Sequence, residues 1–201
     1  MNVEFRRTGE RRYTVIAHRR GRPPVEIGGP GFDAIMPHDL VHFIVESELG
    51  LEHGIFGFIA AGGDAGGSPH LVAGESARAA ARRRNKAARR DRTMLRRGER
   101  DDGDRSERAG YVCMYEWHRR SRDPARRARA AEMADGVRVT LDGMRDDERR
   151  AFGAERIAAV CARMDELSAR WSRLAIGESF LVEWTVRRNP RTTEHRSAMV
   201  E

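Results

Sequence analysis

Lysine is almost missing from this chain. Lys86 stands alone, so 37 of the 38 basic residues are arginine. With the accompanying Ala, Gly and Asp content, this bias fits genomic base composition as well as it fits selection for phosphate contacts. Cysteine is scarce too. Cys113 and Cys161 form no CxxC and no zinc-finger spacing, which excludes a thiolate zinc knuckle and a disulfide framework. Both are expected to be reduced, buried, small hydrophobes. No apolar run approaches the ~18–20 residues of a transmembrane helix, and MNVEFRRTGERRYTV lacks the apolar stretch of a secretory signal. A cytoplasmic protein without membrane association is expected. There is no G-x-S-x-G, no Ser-His-Asp order and no GK[ST], so no motif marks a serine hydrolase or a P-loop enzyme.

The hydrophobic share of 39% is low and the charged share of 34% is high, against ordinary values of about 45–50% and 25%. A modest core with a solvated, charged appendage follows. The appendage is easy to place. Residues 76–97 hold ten basic side chains and one acid, a local +9 that exceeds the whole net charge of +7. The Ala/Arg composition predicts a helical arm over about 76–104, with a thin Ala77/Ala81/Ala88/Leu95 stripe and a charged break at ERDDGDRSER. Arg82, Arg83, Arg84, Arg89 and Arg90 are its candidate nucleic-acid contacts. No aromatic is interleaved for base stacking, so an acidic protein partner and a merely solvated face stay open beside nucleic acid.

Alternation of Val3 and Phe5, then of Tyr13, Val15 and Ala17, predicts an N-terminal hairpin. Val25–Ile27 reads as a short edge strand beside prolines. Gly54–Ser68 starts apolar and becomes a glycine-rich loop. GGDAGG, Gly62–Gly67, could cradle a phosphate on its N–H groups or act as a hinge. Helices are predicted at Ser106–Arg119 and Asp123–Met133, with Val137, Val139 and Leu141 alternating as a strand or extended connection. Ile157, Val160, Cys161, Met164, Leu167, Trp171 and Leu174 follow helical spacing, and a strand runs from Phe180 to Val186. Trp117, Trp171 and Trp184 are expected in the core, His18 and His195 at the surface. The expected architecture is α+β: one domain over 1–188 with an antiparallel sheet from the hairpin and C-terminal strand packed on helices, then a flexible polar tail at 189–201.

The chemistry concentrates in PHDLVHFIVESELG, with Pro37 opening a helix and Gly50 closing it. At ~100° per residue, His38, Asp39, His42 and Glu46 fall within one quadrant, and Leu40, Val41, Phe43, Ile44 and Val45 cover about 140–340°. A helix apolar over so wide an arc is mostly buried. Its polar quadrant faces either water, as an ordinary solvated stripe, or an interior site. Histidines at i and i+4 lie one above the other and can share a metal ion, zinc or another divalent transition metal, as in HExxH helices. Asp39 stands where those enzymes carry a general-base Glu, and Asp39 and Glu46 are the candidate catalytic carboxylates. About 12 Å of helix rise separates His38 from Glu46, so Glu46 suits the His42 ring N–H better than the ion. A third ligand is expected from His53, Asp64, His70, Glu116 or His118. Whether such a site catalyses a reaction is left open.

HDLVH (His38, Asp39, His42) resembles the HDxxH motif of the zinc-binding ubiquinone-biosynthesis family, which implies zinc at these residues. That family's distal glutamate falls here at Gly54, and the rest of the chain departs from it. More broadly, PHDLVHFIVESELGL, the following GIFG and AAGG, and Trp171, Leu174 and Gly177 resemble a group of uncharacterised small proteins of high-GC bacteria, which implies no activity.

Overall fold

The structure is a computed structural model that describes residues 1–29, 35–65, 68–69, 76–96 and 101–186. Strands β1 (Asn2–Gly9) and β2 (Arg12–His18) form the expected antiparallel hairpin, with Val3 opposite Ala17 and Phe5 opposite Val15. β3 (Val25–Gly29) pairs with β2. Helices α1 (His38–Leu49) and α2 (Ile55–Ala60) follow, then a two-residue strand β4 (Ser68–Pro69). After these come α3 (Ala77–Arg96), α4 (Asp101–Arg119), α5 (Pro124–Asp142), α6 (Asp146–Ala151), α7 (Ala154–Ser172) and β5 (Ser179–Glu183). The sheet order is β4-β3-β2-β1-β5, antiparallel throughout. The fold class is α+β, as the sequence predicts.

One face of the hairpin and of β5 carries Val3, Phe5, Tyr13, Val15, Phe180 and Val182 into the core. Against them α1 presents Leu40, Phe43 and Ile44, and α7 presents Val160, Met164, Leu167 and Trp171, all buried. Phe43 is the hinge of an aromatic cluster. It meets Phe5 edge-on at 5.8 Å, Phe56 of α2 at 5.2 Å and Trp184 at 5.4 Å. Such offset and edge contacts favour the ring quadrupoles beyond simple burial. The three tryptophans and both cysteines are buried, as expected.

Several expectations are corrected. β3 is no edge, because Val25 and Glu26 pair with Pro69 and Ser68 of β4. Residues 137–141 are helical: Met133, Val137 and Leu141 recur at four-residue intervals and pack with Val112 and Met144, while Val139 is exposed. The period-2 alternation was therefore a by-product of a helical period. α4 begins at Asp101, inside the supposed charged break, because Arg105 and Arg108 there bind buried Glu148 of α6. The apolar start of residues 54–68 forms the short helix α2, and α6 lies in a stretch for which no element was expected. β5 ends at Glu183, three residues early. On α3 the buried alanine is Ala80, whereas Ala77 and Ala88 are exposed. His18 is half-buried and bonds Glu4 at 3.0 Å. The tail at 189–201, His70, His195, Gly66–Gly67, residues 97–100 of the arm and the Leu95 side chain lie outside the description. Among the described residues no helix is long and apolar enough to cross a membrane.

Leu167 is fully enclosed between α7 and the sheet. Leu167→Ala is expected to destabilise the fold by roughly 2–5 kcal/mol in urea unfolding. A loss below about 0.5 kcal/mol would mean that this helix face does not support the core.

Candidate metal centre

α1 lies between the sheet and the helices α4 and α7, so its wide apolar arc is covered and its polar quadrant is drawn in with it. Eight residues from Leu40 to Ser47 are buried in succession, His42 and Glu46 among them. Only the N-terminal end stays at the surface: the His38 side chain is 63% exposed, that of His42 1%. The solvated-stripe alternative thus holds for His38 and fails for His42 and Glu46.

The two histidines meet. Their Nε2 atoms are 2.9 Å apart and the rings stand perpendicular, with centroids at 4.5 Å. Glu107, in the second turn of α4, spans the pair, with Oε1 3.4 Å from His42 Nε2 and Oε2 3.8 Å from His38 Nε2. Zinc bonds of about 2.0–2.2 Å at a tetrahedral angle put ligand atoms roughly 3.3–3.5 Å apart. The His42–Oε1 separation matches that value, the two Nε2 atoms are closer, and His38 is nearer the other carboxylate oxygen. With one atom from each residue within 4.8 Å of the others, His38, His42 and Glu107 could hold one ion after side-chain adjustment.

Glu107 was not among the expected third ligands. Of those, Asp64 is ion-paired with Arg19 at 2.9 Å, and Glu116 with Arg119 and Arg120. His118 Nδ1 accepts from Arg126, and neither it nor His53 joins the histidine pair. Nothing in the sequence pairs residue 107 with residue 38. The acidic-basic run around it read as a break, and only the packing of α4 on α1 brings it there.

Behind the histidines lies a buried polar chain. His42 Nδ1 is 2.8 Å from Ser106 Oγ, and Ser106 donates to Glu46 Oε1 at 2.8 Å. Glu46 thus reaches His42 through a hydroxyl rather than directly, a correction to the expected contact. Its carboxylate also accepts the backbone N–H of Ile55 on Oε1 (2.8 Å) and of Phe56 on Oε2 (2.9 Å). These are first-turn N–H groups of α2 that have no partner within the helix. Burial pushes the Glu46 carboxyl up to about 7, against the pull of Ser106 and of the backbone N–H groups at 55–57. Burial, helped by the His38 charge and opposed by Asp39, brings His42 down to about 4, so its ring is neutral at pH 7. Serine sits between imidazole and carboxylate here, the reverse of a nucleophilic triad in which histidine is the middle member.

Asp39, the other candidate catalytic carboxylate, is partly buried and accepts the Tyr13 hydroxyl at 2.8 Å. Burial and the Asp39 charge raise the Tyr13 pKa, which keeps that phenol a donor. In the glycine loop, the Gly62 and Gly63 N–H groups bond Ile59 and Phe58 carbonyls, and Arg19 and Arg22 hold the Gly63 and Gly62 carbonyls. Those N–H groups are spent on ending α2, which leaves neither for a phosphate. On α3, Arg82 and Arg89 are exposed, while the side chains of Arg83, Arg84 and Arg90 fall outside the description.

A glycine contrast tests the buried carboxylate. A Cβ on Gly54 would come within 2.3 Å of Glu46 Cδ and Oε1, whereas a Cβ on Gly103 of α4 meets nothing within 4 Å. Gly54→Ala is expected to destabilise by about 1–3 kcal/mol. Gly103→Ala, in the first turn of α4 with open space around the added methyl, is expected to stabilise by up to about 1 kcal/mol. Thermal melts of the two variants, if of equal sign, would refute this placement of Glu46.

No protein-family model, no curated protein and no solved structure matches the chain.

Proposed function

We propose that the protein binds a divalent transition metal, zinc in the first instance, through His38, His42 and Glu107. The observation that carries this is the convergence of two imidazole Nε2 atoms and a carboxylate from a second helix, with the deeper imidazole neutral and enclosed. A two-nitrogen, one-carboxylate set suits zinc and its first-row neighbours. The resemblance of HDLVH to a zinc-binding family points the same way for His38 and His42, while that family's distal glutamate falls at Gly54 here and Glu107 has no counterpart in its motif. His38 and Glu107 are both more than half exposed, so a bound ion would keep an open position toward solvent. Three protein ligands and one open position are the arrangement in which zinc activates water, and Asp39 is the nearby carboxylate proposed to serve such chemistry. Glu46 has no such access and is given a holding role.

Protein purified without an affinity tag is expected to carry close to one equivalent of metal. His42→Ala should remove it, Glu107→Gln should weaken it, and chelator should lower the melting temperature of the wild type but not of His42→Ala. A metal-free wild type that takes up neither zinc nor cobalt would sink the proposal.

A second function, a non-enzymatic interaction protein binding nucleic acid or an acidic partner, is favoured by α3. Arg78, Arg82, Lys86 and Arg89 are exposed there, and Ala80 is the one buried residue among its described side chains. Weak, sequence-independent DNA binding at low salt is expected, lost at physiological salt as counterions compete. Replacing Arg82, Arg83, Arg84, Arg89 and Arg90 with glutamine should abolish it without unfolding. Micromolar binding that survives physiological salt in a filter or polarisation assay, and is lost in the glutamine variant, would put this function ahead of the metal.

A further inference from the structure

We propose that Ser106 is the positioning residue of the histidine site: held on Glu46, its hydroxyl fixes the His42 ring with the proton on Nδ1 and the lone pair on Nε2. The inference deepens the metal proposal and rests on it for its consequence, although the tautomer itself exists without any ion.

The direction of the protons follows from counting donors. Glu46 accepts two backbone N–H groups, from Ile55 and Phe56, and backbone N–H can only donate. In its ionised form, the one present at the pH 8 of the test below, the carboxylate has no proton to give, so the single Ser106 proton points to Glu46 Oε1. Ser106 Oγ can then only accept from His42, which must carry its proton on Nδ1. Both Ser106 and His42 are about 1% exposed, so no water competes for the ring. Turning the ring over would leave buried polar atoms without partners. The lone pair on Nε2 therefore faces His38 and Glu107, the geometry that a metal ligand needs. Free histidine in water prefers the opposite tautomer, with the proton on Nε2. A hydrogen bond at one ring nitrogen commonly sets which nitrogen is left for metal.

The same carboxylate ties the site to the rest of the fold. Glu46 is the last turn of α1, caps α2 and reaches α4 through Ser106, and it fits only because Gly54 has no Cβ. Loss of the hydroxyl would thus be felt at Ile55 and Phe56 as well as at His42.

The test uses full-length protein labelled with 15N-histidine, at pH 8, first without metal and then titrated with zinc. Long-range 1H–15N spectra of the wild type should show His42 protonated on Nδ1 and bare on Nε2. In Ser106→Ala, the proton should move toward Nε2 and zinc affinity should fall about 10–100-fold, with Ile55 and Phe56 amides exchanging faster. Ser106→Thr, which keeps the hydroxyl, should restore the tautomer. A wild-type ring protonated on Nε2, or an Nδ1 proton that persists unchanged in Ser106→Ala, would overturn the inference. The expected tautomer in a wild type that takes up no zinc would support the relay and overturn the metal proposal instead.

Discussion

A buried carboxylate is among the costliest groups a fold can enclose unless donors surround it, and Glu46 is fully enclosed. Its compensation comes from two separate parts of the chain: the N–H groups that open α2 and the hydroxyl of Ser106 on α4. Without Glu46 those N–H groups would be unsatisfied, and Ser106 would keep His42 alone. The arrangement is therefore reciprocal, and it fixes the turn between α1 and α2, the absence of a side chain at Gly54 and the depth at which α4 packs. α2 in turn holds Phe56 against Phe5 and Phe43, so the polar centre and the aromatic cluster share one scaffold.

That centre also determines the chemistry available at His42. Burial depresses its basicity to about 4, so protons do not compete for Nε2 near neutral pH, and a Lewis-acidic ion meets a free lone pair there. The site is graded along one helix. His38 is in solvent, His42 is four residues deeper, and Glu46 is another turn inward. An ion at the outer end would touch water on one side and be braced by hydrogen bonds on the other, which is how open metal centres are commonly built.

The sequence made the main architecture legible where a single period dominated. The Val3/Phe5 hairpin, the Leu167/Trp171 helix and the Phe180/Val182 strand were readable because one face of each is buried and the pattern records it. The wide apolar arc of α1 likewise announced that it would be covered. Failures came where tertiary contacts override local pattern. Val137, Val139 and Leu141 satisfied a strand period while Met133, Val137 and Leu141 satisfied a helical one, and packing on Val112 decided between them. Four-residue spacing brought His38 and His42 together on paper and in space. Their third companion could not be read, because the pairing of residues 38 and 107 depends on how α4 docks.

The start of α4 shows why such a segment resists reading. Within four consecutive residues, Arg105 and Arg108 turn toward Glu148 of α6, Ser106 toward Glu46, and Glu107 toward the histidines. In isolation the run is a mixture of charges with no apolar face, which local propensity assigns to solvent. In the fold, Arg105, Ser106 and Arg108 reach buried polar groups on other elements, and the segment becomes helical because those partners hold it at several points around its circumference. Polar residues can thus specify a helix as firmly as an apolar stripe does, provided that every buried member of the network is satisfied. The candidate site arises at that place for the same reason. A segment held by directional bonds presents its remaining side chain, Glu107, in a defined position, and a metal ligand requires that more than it requires burial.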